Sequence, residues 1–110
     1  MATYYKVEIT DGKVKSVSSE VHPKNGKYFT YEELQRFIKH KSNGLVEIVP
    51  LPSGESMVVN EEGKLIGLPK NELATEFWKK QYPIEEYPFN NDELIVGNAL
   101  VIKSDELEND

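Results

Sequence analysis

The chain has 110 residues, 38% of them hydrophobic and 29% charged, the proportions of one domain with a modest core. It contains no cysteine, which excludes disulfides, thiolate nucleophiles and thiolate metal sites. Residues 103–110 carry four carboxylates and one lysine, half of the formal charge of −6, and the remainder lies too near neutral for a broad nucleic-acid binder.

Met1 to Lys6 lacks the basic-then-apolar pattern of a signal peptide, and no apolar run reaches the roughly 18–20 residues of a membrane-spanning helix. Residues 4–18 read as a β-hairpin. Asp11-Gly12 suits a type I′ turn, which needs positive φ at both positions. Counting outward pairs Thr10 with Lys13, Ile9 with Val14, Glu8 with Lys15 and Val7 with Ser16. Ile9 and Val14 then share a face, and Glu8 meets an opposite charge across the ladder. Residues 19–29, with Pro23 and Asn25-Gly26, read as a loop.

Thr30-Tyr31-Glu32-Glu33 is a capping box. The helix behind it is expected to bury Tyr31, Leu34, Phe37 and Ile38. Glu32 and Arg36 stand one turn apart on the other face, an exposed pair adding only ~0.3–0.5 kcal/mol. Lys39, His40 and Lys41 are assigned to its last turn, with Gly44 as the stop.

Residues 45–51 read as a strand partnered by residues 57–59. Pro50 and Pro52 lack donors toward the same side, so a longer loop or a splayed end is expected in place of a tight two-residue hairpin on Ser53-Gly54. Residues 64–68 read as a short strand ended by Pro69. Asn71 caps a second helix running to about Lys80, with Leu73, Ala74, Phe77, Trp78 and Gln81 on one stripe. Residues 83–93 read as a loop. Residues 95–102, apolar on both faces, read as a central strand.

The fold expectation is α+β: an antiparallel sheet of about six strands with two helices packed on one face. Residues 1–102 form the domain and residues 103–110 an acidic, disordered tail. Two-faced apolarity in residues 45–51 and 95–102 asks for a second cover, and a homo-oligomer is one common solution.

Three segments carry a family resemblance. They are Val46-Glu47-Ile48-Val49-Pro50-Leu51-Pro52-Ser53-Gly54, the run from Asn60-Glu61-Glu62-Gly63-Lys64 through Gly67-Leu68-Pro69-Lys70-Asn71 to Thr75, and Ile95-Val96-Gly97-Asn98-Ala99-Leu100-Val101. In order and spacing, residues 30–102 resemble the family catalogued as domain of unknown function 3846. The resemblance implies a phage or mobile-element accessory protein in a bacterial cytoplasm. That family has no established catalytic or ligand residues, so none is carried over.

Candidate chemistry is sparse. His22 and His40 have no metal-ligand spacing. Glu61-Glu62 and Glu85-Glu86 are adjacent, so in extended structure their side chains point apart, unlike a catalytic carboxylate pair. Gly67 and Gly97 mark either a close backbone approach or a ligand wall. Asn71 caps a helix whose N-terminus, with Lys64 and Lys70 near in sequence, also makes an anion seat. Arg36, the only arginine, either pairs with Glu32 or clamps a phosphate. Trp78 is core or a stacking platform.

The candidate ligand residues are therefore Arg36, Lys64, Lys70, Asn71 and Gly97. The functional expectation is a non-enzymatic protein, without cofactor or metal, that interferes with a host system by sequestering a small anionic nucleotide-like signal. The alternative is a protein-interaction module working through a sheet edge or the acidic tail.

Overall fold

The computed structural model describes residues 1–82 and 93–107. The loop expected at 83–93, the pair Glu85-Glu86 and the tail end 108–110 lie wholly or largely outside the described residues. The elements are β1 (Ala2–Thr10), β2 (Lys13–Val21), α1 (Tyr31–Ile38), β3 (Val46–Pro50), β4 (Glu55–Asn60), α2 (Glu72–Lys80), β5 (Ala99–Lys103) and a 3₁₀ turn, Ser104–Glu106. The five strands make one open antiparallel sheet in the order β2-β1-β5-β4-β3. The fold is α+β, with five strands in place of about six.

The missing strand is 64–68. There the backbone curls: Ile66 N–H reaches Glu62 O at 2.9 Å, Leu68 N–H reaches Gly63 O at 2.9 Å, and Gly67 N–H reaches Lys64 O at 3.3 Å. With Gly67 at φ +72°, these bonds form a Schellman closure on a single helical turn. Gly67 is thus a turn-ending residue and not a strand interior.

The hairpin has the expected register, from Thr10↔Lys13 through Val7↔Ser16, and Asp11 and Gly12 sit at φ 52° and 74°. It is longer than expected, continuing to Ala2↔Val21, so Ser19, Glu20 and Val21 are strand rather than loop. The two prolines also behave as their missing donors require. Leu51 N–H bonds Glu55 O and Gly54 N–H bonds Leu51 O, making a three-residue loop with Gly54 at φ +92°. That register turns Pro50 away from β4, toward the free edge of the outermost strand, where no donor is needed.

The helices lie on opposite faces, which corrects the expectation of one shared face. Leu34 and Ile38 of α1 pack with Ala2, Val58, Leu100 and Ile102. Ala74 of α2, with Phe77 and Trp78, packs with Met57, Val59, Ala99 and Val101. Successive residues of β4 and β5 alternate between the two clusters, as side chains of a strand must. The two-faced apolarity of residues 95–102 is therefore answered within the chain, and it supplies no argument for a second copy.

In α1 the capping box forms as read, with Thr30 Oγ1 accepting from Glu33 N and Glu33 accepting from Thr30 N. Tyr31, however, is 51% exposed at the first helical position. The helix stops at Ile38, because Lys39 is extended and Lys41, at φ 53°, joins Ser42 in a two-residue turn between His40 and Asn43. The basic residues thus follow the helix instead of ending it.

Residues 103–107, the first part of the expected tail, are placed against the domain. Lys103 closes β5, Phe29 N–H bonds Glu106 O at 2.7 Å, and Leu107 bridges to Phe29 and packs on the α1-side core. Glu106 is buried against the Met1 amino group. Leu107 is an apolar anchor among acids, so composition alone misreads this segment.

Burial pushes the Glu33 carboxyl up, but hydrogen bonds from the Thr30 and Lys24 amides and the Thr30 hydroxyl, together with the Lys24 charge, outweigh it. The group lies below its usual 4.5. A lowered folded value stabilises at neutral pH and loses that contribution as pH falls below 4.5 through the folded value. The Glu33→Gln variant keeps the shape and loses the charge. Its deficit against wild type in urea unfolding should be on the order of 1 kcal/mol at pH 7 and shrink toward pH 3. A deficit constant across that range would show that the carboxylate charge contributes nothing.

Candidate functional site

Residues 64–74 and 95–98 meet directly. Gly97 N–H bonds Pro69 O at 2.8 Å, Lys70 bridges antiparallel to Val96, and Asn71 N–H bonds Ile95 O at 2.8 Å. Gly97 has φ +73°, and a Cβ there would lie 2.7 Å from Leu68 Cδ1. The positive φ favours glycine, while the near neighbour is only the tip of the chain's own Leu68 side chain.

Asn71 is completely buried and fully engaged. Its Oδ1 accepts from Ala74 N at 3.1 Å, while Nδ2 donates to Tyr5 O and Gly97 O, each at 2.9 Å. Two neighbouring amides are occupied as well: Leu73 N–H goes to Ser16 Oγ and Thr75 N–H to Asn71 O. An anion seat needs free amides, and positions 73, 74 and 75 offer none.

The five candidate residues do not converge. Arg36 is exposed on the outer face of α1, beside a polar hollow that includes Gln35, Lys39 and Ser42. Among the described residues the only ion pair joins the Met1 amino group to Glu106, so Glu32 and Arg36 do not pair. Asn71 and Gly97 are buried in the clasp, and Lys70 is exposed at its bridge. Arg36 borders a hollow of about 300 Å³, Gly97 one of about 140 Å³, and Lys64 a third that is larger than either.

That cavity, about 340 Å³, lies between β3, β4, the start of α2's neighbour segment 94–96 and Trp78. Val49, Val59, Leu94, Ile95, Val96 and Trp78 make it mostly apolar. Glu47, Glu61 and Lys64 supply its charges, and none of the three is in an ion pair among the described residues. Asn60 fixes the turn that carries Glu61. Its Oδ1 accepts from Glu62 N at 2.9 Å, and its Nδ2 donates to Ile38 O and Asn43 O, each at 3.3 Å.

Sequence reasoning missed Glu47 and Glu61 as site residues. Glu47 reads locally as a solvated strand position, and Glu61 as part of a turn. The available signal was joint: all three segments that carry the family resemblance contribute to this one cavity. No group of three potential metal ligands occurs among the described residues. No helix among them is long and apolar enough to cross a membrane.

Comparison with known families, with curated proteins and with solved structures yields no match.

Replacing Asn71 by Ala removes the α2 cap and leaves Tyr5 O and Gly97 O without those donors. A loss of about 3 kcal/mol is expected in urea unfolding, more than a cap alone would cost. A loss under about 1 kcal/mol would mean that the two carbonyls find other donors.

Proposed function

We propose that this chain is a non-enzymatic binding protein whose cavity beside Trp78 takes a small nucleotide-like molecule. The observation behind this reading is the joint presence, in one cavity of about 340 Å³, of an aromatic side chain, aliphatic walls, two carboxylates and an ammonium group. Ligand sites are typically apolar hollows of at least about 300 Å³ with a few polar groups that orient the ligand. An indole stacks on a planar base, carboxylates accept from sugar hydroxyls, and an ammonium meets a phosphate. The family resemblance supports a setting in which such capture withdraws a signalling molecule from a host system.

Trp78 is the only tryptophan and borders this cavity, so its emission reports on it without interference from a second indole. Titration with nucleosides and nucleotides should change that emission and raise the unfolding temperature. A ligand at 100 times its Kd adds about 2.7 kcal/mol. No change in either signal at millimolar concentration, for any of them, sinks the reading.

A second reading, a protein-interaction module acting through a sheet edge, is favoured by the hairpin. β1 pairs with β5 only at Thr3, Tyr4 and Tyr5, so the rest of the hairpin extends beyond that partner. Its cross-strand pair Ile9 and Val14 is 67% and 51% exposed. A two-stranded ribbon is marginal in water without further packing. If this arm docks on a second copy, wild type sediments as an oligomer and Ile9→Asp as a monomer. A wild-type monomer at high concentration removes self-association and leaves only a foreign partner.

A further inference from the structure

Granted that the cavity beside Trp78 holds a nucleotide-like molecule, we infer that it selects the nucleoside end: a neutral or singly charged ligand with vicinal hydroxyls, and not a polyphosphate.

The charges around the cavity carry the argument. Among the described residues that line it, Lys64 is the one cation, against two carboxylates, Glu47 and Glu61. Glu47 stands opposite Val59 in the β3–β4 ladder, and Glu61 N–H bonds Leu45 O one step further along. The two carboxylates are thus diagonal neighbours on one face, with backbones roughly 7–8 Å apart. Neither is neutralised by an ion pair among the described residues. Glu62 follows directly and is tied to Asn43 Nδ2 at 3.4 Å, which adds negative charge to the same turn.

A triphosphate carries about four negative charges against this one ammonium. Like charges brought together are a strong negative determinant of specificity. A ribose diol has the opposite relation to the site. Its hydroxyls donate, a carboxylate only accepts, and an acidic side chain on ribose hydroxyls is a recurrent device of nucleotide sites. The base lies against the aliphatic walls on the Trp78 side of the cavity. Lys64 then has the capacity for one anionic group at most, a single phosphate.

The test is a Trp78 emission titration of the full chain with the four ribonucleosides, their 5′-monophosphates, their 5′-triphosphates and the matching 2′,3′-dideoxynucleosides. The best ribonucleoside should bind at least tenfold tighter than its triphosphate and at least tenfold tighter than its dideoxy form. In the Glu47→Gln/Glu61→Gln double variant the gap to the triphosphate should close, because repulsion is removed along with the diol contacts. Both positions lie at the cavity mouth away from the two core clusters, and circular dichroism checks that the variant is folded. A triphosphate that binds as tightly as its nucleoside, or tighter, overturns the selectivity while leaving the cavity's role intact. Equal binding of ribo- and dideoxynucleosides overturns the diol contact. Failure of every compound to bind refutes the proposed function itself.

Discussion

The carboxamide of Asn71 is the contact on which most of the structure's connectivity converges. One side chain caps α2, bonds the backbone of β1 at Tyr5 and bonds the 95–98 segment at Gly97. It is entirely shielded from water, where an unmade hydrogen bond carries its full desolvation cost. The N-terminal hairpin depends on it. β1 joins β5 through only three residue pairs, and further ties include Asn71 to Tyr5 O, Val7 N–H to Asn98 Oδ1, Leu73 N–H to Ser16 Oγ, Tyr4 OH to Phe37 O and the Met1 amino group to Glu106. Small residues belong around such a hub because backbones must approach closely. Gly97 against Leu68 and fully buried Ala74 and Ala99 are the outcome.

From that hub the two faces follow. β5 is central and its alternate residues feed separate cores, one under α1 and one under α2. On the second face, Phe77 and Trp78 reach the cluster around Met57, Val101 and Ala99. Glu47, Val49 and Val59 continue the same face toward the outer edge, where the cavity opens. The site is therefore a product of helix placement, with aliphatic walls inherited from the core and charges inherited from the strand end and the turn. Asn60 couples this wall to the other face, since its side chain also holds the carbonyl that ends α1.

What could be read from the sequence was what local chemistry decides. Asp11-Gly12 specifies its own turn, Thr30 and Glu33 satisfy each other three residues apart, and Asn71 caps the helix it precedes. Pro50 and Pro52 excluded a register because a missing donor is a local fact. The failures lay where distant residues decide. Residues 64–68 have strand-like composition, but Gly67 closes a turn whose bonds skip along the chain. The choice of face for each helix depends on parity carried across β4 and β5, which no single segment encodes. Leu107 holds the start of the acidic tail only because Phe29 waits some eighty positions earlier.

The same distinction governs the candidate site. Arg36, Lys64 and Lys70 were selected because a cation is visible in a sequence, but the sign of a surface is set by neighbours that folding brings in. Arg36 lies across the sheet from the cavity, and Lys64 borders it in the company of Glu47 and Glu61. A site whose own charge is negative cannot draw in an anionic ligand by long-range attraction, and in a chain of formal charge −6 the wider field opposes it too. If the cavity takes a nucleoside as proposed, its affinity comes from contact: apolar burial, stacking on Trp78 and hydrogen bonds to carboxylates. These act over a few ångströms and are weakly screened by salt, whereas phosphate capture by lysines is strongly screened. On the proposed reading, the choice of ligand rests on the strand residue Glu47 and the turn residue Glu61 more than on the lysines.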